Sequence, residues 1–330
     1  MSKHTITSLI AAGGLVAVAV ALAAAPKESP IRITTGKSAV TIRAGGGDLL
    51  TYRYRDVPFK PYVQQLFSPK GVGILRDAPH DHLHHHALMF AIAVDGVDFW
   101  SEGKTAGRQV HKSFANAPAD RSGGKLRTGF TELLDWVGPK GRGVLLTERR
   151  TIEASGAGAD ASLLTWRSRL ELPPGKKTAK VTGSHYFGLG MRFLKSMDTG
   201  GRFENAAGKA GKVVRGTEKL ARATWCAYFA KADGKAVTAA MFDHPDNPRH
   251  PATWFTMTKP FAYLSATLAL RKEPLTLEPG KPLVVRYGVA VWDGHVKRDL
   301  IEKAYKQWSA GPARRRHTAR RIWPITPRRL

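Results

Sequence analysis

The sequence predicts an all-β protein, a large antiparallel β-sandwich followed by one C-terminal helix, and three observations carry that prediction. From Ile31 onward, short segments rich in β-branched and aromatic residues are separated by Gly, Pro and Asp turns. Helical periodicity is convincing only once, near the end of the chain. A single cysteine, Cys226, and 42% hydrophobic residues leave stability to packing, in a chain of 330 residues that is long enough to bury a large core.

The strand-like segments follow one another in order. IRITTGKSAVTIRAGGG (31–47) and LLTYRYRDVPFKPYV (49–63) alternate apolar and polar positions, and ALMFAIAVDGVDFW (87–100) is an apolar run broken at Asp95 and Gly96. GVLLTERRTIEAS (143–155) and SLLTWRSRLEL (162–172) alternate again, whereas KVTGSHYFGLGMRF (180–193) carries three glycines that let backbone approach closely. KAVTAAMFD (235–243) and PLVVRYGVAVWDG (282–294) complete the set. In HVKRDLIEKAYKQWSA, Val296, Leu300, Ile301, Ala304, Tyr305 and Trp308 trace one face of a helix expected to pack on the sandwich edge. No phosphate-cradling Gly loop, repeat or hinge-like linker interrupts residues 31–310, which read as one domain.

The opening MSKHTITSLIAAGGLVAVAVALAAAP has the layout of a secretory signal peptide, residues 1–25, with cleavage expected near Ala23 to Ala25. The mature chain is expected to be exported, periplasmic or extracellular; retained, the segment would act as a membrane anchor. No later segment is apolar and long enough to span a membrane. Lys and Arg number 52 against 26 acidic residues, a net charge of +26, which favours acidic partners. Export argues against nucleic acid and leaves anionic polysaccharide or the envelope surface. Residues 311–330, with seven arginines, read as a basic tail suited to an anionic envelope polymer or simply to solvent.

The run HDHLHHHAL (80–88) places five of the twelve histidines in seven positions. In an extended chain His80, His82, His84 and His86 share one face, with Asp81, Leu83 and His85 opposite. Three readings follow: a divalent first-row metal held by His82, His84 and His86, a metal-free pocket using imidazoles as acid, base or donor, and a structural histidine knot. A second polar concentration, FDHPDNPRHPATW (242–254), brings His244, Asn247, Arg249, His250 and Trp254 into a proline-constrained loop suited to a pocket wall. His185 and Arg192 lie in the Gly-rich segment. Trp100 and Glu102 in DFWSEG, and Glu148, are further candidates, although Glu148 beside two arginines reads more readily as a paired surface carboxylate.

PHDHLHHHALMFAIAVDGVDFW, LLTERRTI, HYFGLGMRF, RATWCAYF and FDHPDNPRHPATW, in this order, resemble the domain family of unknown function DUF6807, often labelled methane oxygenase PmoA. The correspondence runs over most of residues 32–294. The chain departs from the expected pattern at Ala87, where glycine would follow the triple histidine, and at Phe255, where histidine would follow Trp254. The label is not an activity: one removable apolar segment is unlike a multi-spanning monooxygenase subunit, and a histidine brace needs an N-terminal histidine. LTLEPGKPLVVRYGVAVWDG (275–294) is similar to the closing strands of galactose-mutarotase-like supersandwiches. Members of the family tend to be found in bacteria that degrade complex carbohydrates.

The leading expectation is an exported protein acting on a sugar or modified glycoside by acid-base chemistry of the mutarotase or lyase kind. His82, His84, His85, His86, His244 and His250 would be catalytic, and Arg192, His185, Asn247, Arg249, Trp254 and Trp100 would bind substrate, all around one pocket. Two alternatives stand beside it: a His-ligated metal-dependent oxygenase or hydrolase, and a non-catalytic carbohydrate-binding envelope protein.

Overall fold

The computed structural model describes residues 31–44, 47–115, 120–122, 125–155 and 161–311. Residues 1–30, where the signal peptide is predicted, and residues 312–330, which make up nearly all of the predicted basic tail, lie outside the described residues. Two large antiparallel sheets face each other. The first has ten strands in the order Arg32–Thr35, Ala39–Ala44, Gly47–Arg53, Tyr62–Leu66, Leu88–Ala91, Gly188–Arg192, Tyr263–Thr267, Thr253–Met257, Glu218–Arg222 and Lys212–Arg215. The second runs Arg202–Asn205, Trp225–Ala232, Lys235–Asp243, Leu283–Asp293, Ser162–Glu171, Val144–Ser155, Lys125–Val137 and Arg108–Ala115, with Asp120–Ser122 as its ninth member. A small sheet joins Leu275–Leu277, Ala179–Thr182, Ala93–Val94 and Val97–Asp98. One continuous core from both large sheets, including Tyr52, Phe90, Trp136, Trp166 and Tyr228, fills the space between them.

Strands near the middle of the sandwich are apolar on both faces because both are covered. Trp225, Phe229, Phe242 and Trp292 point away from the main core and pack against Ile301, Tyr305 and Trp308 of the helix Arg298–Ser309. The helix face expected from periodicity is therefore the buried one. Its seat is different: the helix lies on the outer face of the nine-stranded sheet, not at an edge, because that face carries the large apolar side chains that need cover. Among the described residues, no helix is long and apolar enough to cross a membrane.

The Gly-rich segment divides between two sheets. Ala179–Thr182 joins the small sheet, and Gly188–Arg192 joins the ten-stranded one after a turn through His185 and Tyr186. Two of its glycines are there for space. A Cβ at Gly188 would stand 2.0 Å from the Ala266 carbonyl oxygen, and one at Gly190 would stand 2.1 Å from the Tyr263 hydroxyl and 2.8 Å from the Trp100 ring. Only glycine lets the Trp100 loop and Tyr263 close over this strand.

Between the sheets lies a buried polar network centred on Arg150, which is fully buried. Its Nε donates to Glu148 Oε1 at 2.9 Å, and its Nη2 donates to Glu148 Oε2 at 2.8 Å and to Gln109 Oε1 at 2.7 Å. Its Nη1 donates to the Tyr52 hydroxyl at 3.1 Å and the Pro61 carbonyl at 2.9 Å. All five guanidinium N–H groups are thus used. Glu148 also accepts from Trp136 Nε1 at 2.8 Å and from the Ser168 hydroxyl. The sequence reading of Glu148 as a surface carboxylate is corrected here: it is 2% exposed and holds the sandwich interior.

Candidate functional site

The histidine run does not form a strand. His82 N donates to Pro79 O at 2.8 Å, His85 N donates to His82 O at 2.9 Å, and Ala78 N donates to His85 O at 3.0 Å, so residues 78–87 fold into consecutive turns. Ala78 (φ 40°) and Ala87 (φ 43°) bracket the loop in the left-handed region, and Arg192 N ties its end to the neighbouring strand through Ala87 O at 2.7 Å. The even-numbered histidines therefore do not share a face. His80 and Leu83 are exposed, while the rings of His82, His84 and His85 gather with centroids 5.8, 4.8 and 4.5 Å apart.

The φ at position 87 gives a physical reason for glycine in the pattern this chain departs from: an alanine there carries left-handed strain. Ala87→Gly is expected to raise stability by about 0.5–1 kcal/mol, net of the added unfolded-state entropy. Urea denaturation of the two proteins checks it; a destabilised variant would contradict it.

His86 turns away from its neighbours. Its Nδ1 lies 2.9 Å from Asp77 Oδ1 and its Nε2 lies 2.8 Å from Glu102 Oε1. Lys60 Nζ donates to Glu102 at 2.8 Å, and the Tyr62 hydroxyl and Gln64 Nε2 donate to Asp77 at 2.6 and 2.9 Å. Burial works against the charged ring, but the two carboxylates outweigh it and raise the His86 pKa. Burial likewise opposes ionisation of Asp77 and Glu102, and the bonds from His86 with those from Tyr62, Gln64 and Lys60 hold both carboxyls low. With both ring nitrogens engaged, His86 has none to offer a metal, and the His82, His84 and His86 ligand set is not realised. Among the described residues, no group of three His, Cys, Asp or Glu side chains is arranged to hold a metal ion. The residues present do not fit that cofactor.

This network has a defined pH signature. The raised His86 pKa contributes stability that is full below the unfolded value near 6.5 and is lost as pH rises through the folded one. The depressed carboxyls contribute stability that is full above about 4 and is lost as pH falls through their folded values. Stability from this cluster is therefore greatest between about pH 4 and 6.5. His86→Gln is expected to lower stability by about 2 kcal/mol in that window and less above it. Thermal melts from pH 4 to 9 measure the difference, and a deficit that grew with pH would contradict the assignment.

His82, His84 and His85 open instead onto a cavity of about 430 Å³ on the outer side of the ten-stranded sheet. Strand Thr253–Met257 sends Phe255 and Met257 into it, while Trp254 and Thr256 face the other way. Trp100, Tyr186, Phe261 and Tyr263 supply further aromatic wall, with Glu218, Arg215 and Lys259 at its charged side. Phe255, at the position where the family pattern has histidine, makes that part of the wall apolar. Trp100 is held by a stacked Phe187, centroids 5.1 Å apart.

Burial, then Lys60 and His82, lowers the His84 pKa; burial, then His84 and His82, pushes His85 down to about 2. Both are neutral imidazoles near pH 7. Asp81 Oδ2 lies 3.2 Å from His82 Nδ1 at the mouth of the cavity. Three buried atoms of the residues lining the cavity, Trp100 Nε1, His82 Nδ1 and His85 Nδ1, have no hydrogen-bond partner among the described residues. A cavity of this size, with aromatic walls and a few unsatisfied polar groups, is the usual form of a small-molecule site.

A model of the family of unknown function DUF6807 matches residues 39–306. The chain belongs to DUF6807. Nothing in that match carries the methane oxygenase label. No curated protein matches the chain. Among solved structures, the GH36 α-galactosidase AgaA from Geobacillus stearothermophilus aligns at TM-score 0.45 and 10% identity, over 81% of this chain and 41% of that one. The Slr1438 protein from Synechocystis sp. PCC 6803 aligns at 0.37 and 10% identity, over 82% and 99%. A putative aldose 1-epimerase from Klebsiella pneumoniae subsp. pneumoniae MGH 78578 aligns at 0.29 and 13%, over 85% and 86%. The DUF6807 chain thus spans about two fifths of the length of the α-galactosidase.

The second predicted cluster lies elsewhere in this DUF6807 fold. Asp243 accepts from Asn247 Nδ2 at 2.7 Å and Ala252 N at 2.8 Å, and its Oδ2 lies 2.7 Å from His250 Nδ1. Asn247 exchanges bonds of 2.8 and 2.7 Å with the Arg286 backbone, and His244 packs edge-on to Trp308. Arg249 Nη1 donates to the Leu268 carbonyl at 2.5 Å. His244, Asn247, Arg249 and His250 do not line the cavity: His244 and Asn247 clasp the proline-rich loop to the strand Leu283–Asp293 and the helix, His250 ties it to Asp243, and Arg249 ties it to Leu268. This corrects their expected place around one pocket with the histidine run. Trp254 is fully buried, its Nε1 bonded to Ala223 O at 2.7 Å. Arg192 is 1% exposed and lies behind the wall, its guanidinium carbon 3.4 Å from the Phe261 ring centroid. His185 stands beside the rim, 3.2 Å from Glu218 and packed on Phe255.

Proposed function

We propose that this chain is an exported carbohydrate-active protein that takes a sugar ring in the cavity and transfers protons on it. The observation that carries this reading is the joining of aromatic wall to neutral imidazoles and unpartnered buried polar atoms in one small cavity. The apolar face of a sugar ring suits the aromatic wall of Tyr186, Phe255 and Phe261, and its hydroxyls suit the half-buried imidazoles of His82 and His84. His85, neutral throughout the working range, is a poor base and serves recognition. His84, kept neutral, is the proton acceptor, and His82, whose ring centroid lies 5.8 Å from that of His84 in the same wall, is the second proton-transfer group.

The test is polarimetry of freshly dissolved α-D-galactose and α-D-glucose with the mature protein, together with NMR titration of the same sugars. The account predicts saturable binding and faster anomerisation than in buffer. Binding without acceleration would favour the recognition-only reading, which the low His85 pKa also supports. Neither binding nor acceleration, in folded protein, would overturn the proposed function for free aldoses.

A further inference from the structure

The charged lining of the aromatic cavity is unbalanced. Arg215 and Lys259 are cationic, and Glu218 is its one carboxylate among the described residues. Glu218 is already committed: it accepts from Arg215 Nη2 at 2.6 Å and lies 3.2 Å from His185 Nε2. Gly216 and Thr217 form the turn between the strands Lys212–Arg215 and Glu218–Arg222, and they also wall a second cavity of about 500 Å³ on its far side. The charged residues lining that cavity are Arg202, Lys209 and Lys219, with no carboxylate among the described residues. Arg202 is drawn to Glu204 at 3.0 Å, whereas Lys209 and Lys219 have no carboxylate partner among the described residues. Five cations and one carboxylate therefore line the two cavities, against two cations per carboxylate in the whole chain.

We infer that the ligand is an acidic sugar chain. One ring sits in the aromatic cavity, and its carboxylate or sulfate groups are met by the cations on both sides of the Gly216–Thr217 turn. This rests on the reading that the aromatic cavity takes a sugar. Lysines on flexible stems recognise an anion as point charges, without demanding one geometry, and so accept the differently placed acid groups of successive units. The net charge of +26 adds a long-range field that draws polyanions to the surface. Thr256 and Thr258 also line the second cavity, which suits a second sugar unit better than a bare ion.

Calorimetric titration of the mature protein with D-galactose, D-galacturonate, galactose 6-sulfate and digalacturonate tests the inference. At low salt, galacturonate or galactose 6-sulfate is expected to bind about tenfold more tightly than galactose, the better of the two telling carboxylate from sulfate. Digalacturonate is expected to bind more tightly still, and the advantage should shrink at about 0.15 M salt as exposed charges are screened. The double variant Lys209→Gln, Lys219→Gln is expected to lose the extra affinity for digalacturonate while keeping that for galacturonate. Equal binding of galactose and galacturonate would overturn the acidic class and leave the sugar reading standing. Failure of all four to bind a folded protein would remove both. If Trp100→Ala left galacturonate affinity unchanged, diffuse surface charge would explain the binding and the inference would fall.

Discussion

Arg150→Ala is expected to destabilise the protein by about 3–5 kcal/mol, the range for breaking a buried ion pair by removing one partner. The magnitude follows from what is left behind. Glu148 would remain 2% exposed with no cation, and Tyr52, Gln109 and the Pro61 carbonyl would each lose a donor. The Trp166 ring, whose centroid lies 4.7 Å from the guanidinium carbon, would lose its cation as well. Against a total stability of about 5–15 kcal/mol, this is a large share, with a fall in Tm on the order of 10 °C. Arg150→Lys should recover only part of it, because an ammonium cannot replace the planar five-donor fork. A melt within 2 °C of wild type for Arg150→Ala would show that the network is not the support described.

The second large effect is on chemistry. His84→Ala is expected to lower turnover by about 10²–10⁴-fold, the usual contribution of a positioned general base, while sugar affinity changes little. His84 is half-buried in the wall, without a hydrogen-bond partner among the described residues, so its removal should spare the fold. Trp100→Ala should do the reverse and weaken binding first, since it removes the aromatic side chain that shapes the cavity wall. Steady-state kinetics separate the two: a fall in kcat for the first, a rise in KM for the second. If His84→Ala raised KM and left kcat alone, His84 would be a recognition group and the acid-base assignment would fail.

Much of the fold was legible because strand signals are local. Alternation at Val40 and Ile42, or at Leu164 and Trp166, needs only one covered face, and Ile301, Tyr305 and Trp308 mark their helix by spacing alone. The seat of the helix was not legible, since it depends on which distant strands expose Trp225 and Trp292. The site was half legible. His82, His84, His85 and Trp100 could be picked out by residue type, but the period-two reading failed at the left-handed residues Ala78 and Ala87, which fold the run into turns. His86 looked equivalent to its neighbours in sequence, and only Asp77 and Glu102, brought in from outside the run, set it apart. Phe261 and Tyr263 in KPFAY were missed because an aromatic after proline reads as core until the opposite wall is known.

His244 and His250 teach a related lesson. A loop dense in Asp, Asn, Arg and His resembles a pocket wall, yet the same groups are what a proline-constrained loop needs to satisfy its own backbone. Asp243 and Asn247 spend their hydrogen bonds inside the loop and on the Arg286 backbone, which leaves the cavity to the histidine run.

The most direct test is a histidine-ring ¹H–¹⁵N NMR titration of the protein with galacturonate and galactose. The account predicts shifts confined to His82, His84 and His85, with smaller ones at His185 on the rim and none at His86, His244 or His250. Shifts at His244 and His250, with His84 and His85 unmoved, would place the sugar at the proline-rich loop and contradict the central claim.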